Sequence, residues 1–144
     1  MKNKSSRGTT GDRRTSLPAL ILLLALACSQ AISAPIDARI DQPIEIPLGE
    51  TARVENSTVA VRFTGASDSR CPSDVVCVRA GEAAITLLLS GAGAERTDVV
   101  YVGKEPKATS YGTYRFEAVD LVPYPRSQGQ GTDKTLTLRI TRSP

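Results

Sequence analysis

A two-residue hydrophobic period is the feature that most constrains this chain, because such alternation gives strands with one buried face. The period recurs in short segments between residues 44 and 141. These segments are 44–48, 51–54, 59–64, 83–89, 97–102, 114–118 and 136–141. Turn-forming residues separate them, as in the glycine-containing run from Ser90 to Ala94. The sequence therefore predicts an all-β domain.

Seven short strands, each with one apolar face, predict a two-sheet antiparallel β-sandwich of the immunoglobulin-like kind. A small β-barrel is the alternative, since closing the sheet on itself also buries one face of every strand. We expect a single domain over residues 44–144, preceded by a leader over residues 32–43. Binding sites of such domains usually lie on the loops at the two ends of the sandwich.

Residues 1–31 have the layout of a secretory signal peptide. Five basic residues precede an uncharged run from Leu17 to Ala27, and small or polar residues follow up to Ala34. As a helix the apolar run would rise only about 16 Å, well short of the roughly 30 Å hydrocarbon core of a bilayer. The sequence therefore predicts export, cleavage near residues 27–34 and no transmembrane helix.

Two routes of signal removal remain open. Ordinary cleavage would follow Ala31 or Ala34, each of which is a small residue. Alternatively, the chain would be cut before Cys28 and acylated on that residue, which would anchor the protein to a membrane as a lipoprotein. In both cases we expect the protein in the periplasm, in the cell envelope or outside the cell.

Most of the net positive charge belongs to the signal segment. The chain has 18 basic and 15 acidic residues, of which five and one lie in residues 1–31, so the remainder carries a net charge of −1. A domain without a net positive charge has no long-range attraction for a phosphate backbone. Nucleic acid is therefore not expected as a partner.

Cys71 and Cys77 are the cysteines that remain once Cys28 is removed or acylated. Two cysteines this close usually pair in an oxidising compartment, and the chain-entropy model gives such a bond about 2 kcal/mol. Zinc would need four ligands, usually Cys and His, but the sequence contains no histidine. We predict a Cys71–Cys77 disulfide, with no metal site and no cofactor.

The block Asp68–Cys77, with the sequence DSRCPSDVVC, matches the pattern Asp-Ser-Arg-Cys-Pro-x-x-Val-x-Cys. It resembles a block found in a family of small exported bacterial proteins of unassigned function. The segment Leu121–Pro125 is similar to their penultimate segment, and the resemblance covers most of residues 44–141. Those proteins often carry Trp before the following Ala-Gly, where this chain has Arg79. The resemblance implies export and a β-sandwich, and it brings no activity.

Two interpretations of the block remain open. In the first, the disulfide loop is a structural staple, Asp68 accepts a hydrogen bond from the backbone two residues on, and Arg70 pairs with Asp68, with Asp74 or with a carbonyl. In the second, Asp68, Arg70 and Arg79 form a recognition loop. The two arginines would then donate to a carboxylate or to an acidic glycan.

The absence of histidine removes the commonest general base and every nucleophile that depends on it. We assign no catalytic residue and predict a non-enzymatic envelope protein, a binding or accessory module for an unknown protein or envelope ligand. One alternative is an inhibitor of a secreted hydrolase that inserts the 71–77 loop into an active site. A second alternative is an enzyme that uses carboxylate chemistry.

Overall fold

The computed structural model describes residues 33–129 and 131–144, and these residues form nine β-strands and no helix. In chain order the strands are β1 (Ile36–Ala38), β2 (Pro43–Pro47), β3 (Thr51–Val54), β4 (Ala60–Asp68), β5 (Ala83–Ser90), β6 (Arg96–Val102), β7 (Ala108–Tyr111), β8 (Tyr114–Val122) and β9 (Thr135–Arg142). One sheet has the order β1-β3-β4-β5-β6 and the other has the order β2-β9-β8-β7. The predicted all-β fold with two sheets is confirmed, and the sheets do not close into the alternative barrel.

Strand pairing is antiparallel throughout except at one edge, where β1 runs parallel to β3. The apolar residues of the predicted alternation face inward except Leu48, which is 42% exposed just after β2, and the two sheets enclose one core. The largest fully buried side chains include Phe63, Ile85, Phe116, Leu121 and Leu138. The edge strand β2 begins with Pro43 and ends with Pro47, as expected of residues that lack a donor for a central ladder.

Two strands lie outside the seven predicted segments. β1 falls within residues 32–43, which we expected to be a leader, yet Ala38 is fully buried and Ile36 packs against the core. The sandwich therefore begins before residue 44. β7 falls in a stretch without a clear period, where the short hairpin to β8 buries Tyr111. Both strands are too short to show an alternation of their own.

Each sheet contains one β-bulge, and both bulges change which residues face the core. The register shifts between Phe63 and Gly65 in β4 and between Ala118 and Asp120 in β8. Because a bulge adds one residue to the strand, the inward-facing residues of β4 are odd-numbered before it and even-numbered after it. Asp68 therefore points into the end of the sandwich. Its side chain is only 1% exposed.

The sandwich has two ends with different loops. We call one the disulfide end, and its connections are residues 48–50, 69–82, 103–107 and 123–134. We call the other the opposite end, and its connections are residues 39–42, 55–59, 91–95 and 112–113. The sequence-predicted site residues of the 68–79 block belong to the disulfide end.

Gly91 and Gly49 form a matched pair for testing how closely the turns pack. Their φ values are nearly equal, +95° and +92°, but a Cβ on Gly91 would lie 2.0 Å from the carbonyl oxygen of Thr58, whereas one on Gly49 would meet nothing within 4 Å. Gly49→Ala should cost about 1–2 kcal/mol of backbone strain. Gly91→Ala should lower the free energy of unfolding by about 1–3 kcal/mol more than that, because the 91–95 turn must move away from the 55–59 turn. Urea unfolding measures both losses. Equal losses would contradict this packing.

Candidate functional site

The disulfide end is built around the loop that Cys71 and Cys77 close. The predicted bond is present, with 5.9 Å between the two Cα atoms. Below it, the backbone N–H of Ser69 donates to the carbonyl of Glu82 at 2.9 Å, and that of Cys71 donates to the carbonyl of Ala80 at 2.7 Å. The loop is therefore a continuation of the β4–β5 pairing that is covalently closed near its base.

The disulfide loop also contacts the connection that follows β8 of the other sheet. The Ser73 N–H donates to the Pro125 carbonyl at 3.1 Å. Asp74 accepts hydrogen bonds from the hydroxyl and from the backbone N–H of Ser127, the latter at 2.9 Å. Both hydrogen bonds lower the pKa of Asp74, and the bond from the Ser127 hydroxyl has the larger effect. These contacts hold the loop in one position relative to both sheets.

Arg70 lies beneath this loop and is only 6% exposed. Its Nε and Nη2 atoms donate to the two carboxylate oxygens of Asp68 at 2.9 and 2.8 Å. Nη2 also donates to the carbonyl of Leu121 in β8 at 2.7 Å. The Arg70 guanidinium therefore joins the end of β4 in one sheet to the end of β8 in the other. The backbone N–H of Arg70 closes the predicted turn onto Asp68 at 3.3 Å.

Three further groups complete the surroundings of this ion pair. Nη1 of Arg70 lies 3.5 Å from Asp120 Oδ1, and the guanidinium stacks 4.2 Å from the centroid of the Tyr124 ring. Lys134 Nζ donates to Asp68 at 3.2 Å and to the carbonyl of Pro123 at 3.3 Å. We call Asp68, Arg70 and Lys134 the buried ion cluster.

Asp68 and Arg70 of the buried ion cluster are both charged near neutral pH. Burial by itself raises the pKa of Asp68, but the hydrogen bonds from Arg70 and Lys134 and the charge of Arg70 outweigh that effect, and the pKa lies below its ordinary 3.8. The hydrogen bond to Asp68 in turn raises the pKa of Arg70. Asp68 therefore remains an acceptor and Arg70 a donor across the ordinary pH range.

The structure separates the residues predicted to form a recognition loop. Asp68 and Arg70 lie inside the sandwich and bind each other, whereas Arg79 is exposed on the 69–82 loop. Cys28, the predicted lipidation site, lies outside the described residues. Lys134 was not identified from the sequence, although it lies two positions before the inward-facing Leu136 and so continues that face.

Apolar side chains project from the disulfide loop into solvent. The exposed fractions of Val76 and Val78 are 102% and 103%, so both side chains are as accessible as in an extended peptide, and Val75 is 45% exposed. We call these three residues the valine tip. Isolated exposed apolar residues are common, but three within four positions of one constrained loop form a local apolar surface that typically marks an interaction site.

No family model matches this chain, and no curated protein and no solved structure matches it either. Among the described residues, no helix is long and apolar enough to cross a bilayer. No group of three or more Cys, Asp or Glu side chains in residues 33–129 and 131–144 is arranged to hold a metal ion.

Replacing each arginine of the block by alanine tests their different placements. Arg70→Ala should lower the free energy of unfolding by about 3–5 kcal/mol, because it leaves Asp68 buried beside a single cation. Arg79→Ala is the matched control and should change that free energy by no more than about 0.5 kcal/mol. Urea unfolding followed by circular dichroism measures both. A fully stable Arg70→Ala variant would show that the cluster does not hold the sheets together.

Acidification tests the charge state of Asp68. Its pKa is lower in the folded than in the unfolded chain, so its stabilising contribution is complete above the ordinary value of 3.8 and is lost as the pH falls through the folded value. The free energy of unfolding should therefore decrease from about pH 5 towards pH 2. In Asp68→Asn the decrease should be smaller. The same decrease in both proteins would contradict an ionised, paired Asp68.

Proposed function

We propose that this chain is an exported, non-enzymatic binding module of the cell envelope that contacts a partner protein through the valine tip. The observation that carries the proposal is the full exposure of Val76 and Val78 on a loop that is closed by a disulfide. Burying such side chains against a partner is favourable by about 1.5–3 kcal/mol each. Two anchors of this kind, two positions apart in the chain, suit the centre of a small protein interface.

The rigidity of the loop supports a role in binding. The Cys71–Cys77 bond, the contacts of Ser73 and Asp74 with the 125–127 connection, and Arg70 beneath the loop all restrict its movement. A loop that is already ordered loses little conformational entropy when it binds. The valine tip is thus presented at a low entropic cost.

The predicted export is supported by the disulfide, because such bonds persist mainly outside the reducing cytosol. The predicted signal peptide of residues 1–31 lies outside the described residues, and so does the predicted lipid anchor at Cys28. We place the module in the periplasm, on the envelope or outside the cell. There, an anchor would keep the valine tip near envelope partners.

A non-catalytic role is supported by the state of the most shielded carboxylate. Asp68 is 1% exposed and already accepts hydrogen bonds from two cationic side chains, Arg70 and Lys134. A general acid or base needs access to its substrate and a pKa near the working pH. Asp68 has neither property, which disfavours the alternative of carboxylate catalysis at this end of the sandwich.

Inhibition of a secreted hydrolase is the second candidate function. It is favoured by the shape of the loop, in which the bonded cysteines are six positions apart. Val76 projects from the ring that they close, and Val78 projects just after it. A narrow, pre-ordered loop with apolar side chains can enter an active-site cleft without first being ordered. Inhibitor and accessory module would use the same residues with different partners.

Photo-cross-linking from the valine tip tests the binding proposal. We expect full-length protein with benzoylphenylalanine in place of Val76 to form one discrete adduct in its native host. The matched control carries the same group in place of Val99, which is 45% exposed in the middle of β6. Excess wild-type protein should suppress the adduct, whereas a Val76→Asp/Val78→Asp variant should not. Identical adducts from both positions, or none, would contradict the proposal.

The same double variant separates the two candidate functions. An inhibitor should block one enzyme in a panel of secreted proteases and lysozymes, and it should lose that effect after Val76→Asp/Val78→Asp substitution. An accessory module should form the cross-linked adduct without inhibiting its partner. Circular dichroism of the variant shows whether the fold is kept, as expected for two exposed substitutions.

A further inference from the structure

A cavity lies at the opposite end of the sandwich, away from the valine tip. It has a volume of about 380 Å³, and its walls include Arg39, Gln42, Glu55, Asn56, Tyr114 and Arg142. Tyr114 and Arg142 lie in β8 and β9 of one sheet, whereas the other four lie in the 39–42 and 55–59 connections, so the cavity opens at the end of the sandwich between strand ends and connecting loops. Its volume is within the range of about 300–1,000 Å³ that is usual for small-ligand sites.

The charges around this cavity are unbalanced. Arg39 Nε lies 3.6 Å from the carboxylate of Glu55, and both side chains are largely exposed. Arg142, by contrast, makes no ion pair or side-chain hydrogen bond with any residue that the structure describes. One positive charge in the wall therefore remains available to an anion. Guanidinium groups bind carboxylates through two parallel hydrogen bonds.

The position of Arg142 follows from the strand register. Arg142 is the cross-strand partner of Tyr114, and it lies two residues beyond the buried Ile140. Because alternate residues share a face, Arg142 continues the inward face of β9 to the rim of the core. A cation is thus placed at the entrance of the space between the sheets.

The Tyr114 hydroxyl provides a second donor in the same cavity. The tyrosine is 9% exposed, and its hydroxyl has no hydrogen-bond partner among the described residues. No buried side-chain polar atom in this part of the chain lacks a partner, so the hydroxyl is accessible to solvent, and Tyr114 is one of the residues that line the cavity. The amides of Gln42 and Asn56 add donors and acceptors suited to hydroxyl groups.

We infer that this cavity binds a small carboxylate-bearing, hydroxylated molecule such as a sugar acid. Arg142 would bind the carboxylate, while Tyr114, Gln42 and Asn56 would bind the hydroxyl groups. This ligand class follows from one uncompensated guanidinium beside the Arg39–Glu55 ion pair and three neutral polar side chains. The site is independent of the valine tip, which lies at the other end of the sandwich.

Titration of the full chain with galacturonate, followed by amide resonances in NMR spectra, tests the inference. Saturable shifts should appear at Gln42, Asn56 and Arg142. The neutral sugar galactose should not produce them. Arg142→Gln should weaken galacturonate binding by about tenfold or more, since it removes a charge-assisted contact. The matched control is Arg139→Gln, on the outward face of the same strand, and it should leave the affinity unchanged.

Three results would overturn the inference. Equal binding of galactose would show that the charge does not select the ligand. Equal affinity of wild-type protein and Arg142→Gln for galacturonate would show that Arg142 does not bind the carboxylate. Amide resonances that are unchanged elsewhere in the spectrum of the variant show that it is folded. Equally tight binding of inorganic phosphate, reported by the same amides, would show that the cavity binds small anions in general and does not select carboxylates. Unchanged galacturonate binding by Val76→Asp/Val78→Asp would support the independence of the two sites.

Discussion

The buried ion cluster is the interaction on which the disulfide end depends. Asp68 ends a strand of one sheet, while Lys134 precedes a strand of the other and Arg70 reaches the carbonyl of Leu121. Charges of this kind contribute little net stability when they are paired, but they cost several kcal/mol when one partner is missing. The cluster therefore favours the single arrangement of the two sheets in which all of its groups are satisfied.

The disulfide and the ion cluster have different roles. The bond between Cys71 and Cys77 joins positions only six apart, so it orders a loop without connecting the sheets. Arg70 and Leu121 are 51 positions apart, and Asp68 and Lys134 are 66 apart. The cluster thus sets the base from which the loop projects, and the disulfide sets the shape of the projecting loop. Presentation of the valine tip needs both.

The sequence predicted the two-sheet fold and the disulfide because both follow from local patterns, alternation for the strands and proximity for the cysteines. It did not predict the place of Asp68, because a strict two-residue period starting at Val61 puts even positions outside. The bulge after Phe63 reverses that order, and its position is set by pairing with β5. The predicted pairing of Arg70 with Asp68, two positions away, is confirmed, but its contacts with Asp120 and Leu121 were hidden, since these residues lie about fifty positions away and depend on how the sheets meet.

The prolines of β2 limit how this molecule can associate with others. The Leu48 N–H donates to the carbonyl of Lys134, the residue before β9, so even-numbered residues of β2 direct their donors into the sheet and odd-numbered residues direct them outward. Pro43 and Pro47 occupy two of the three outward positions and have no donor to offer. An additional strand would find few hydrogen-bond donors along this edge, which protects the sheet against edge-to-edge aggregation.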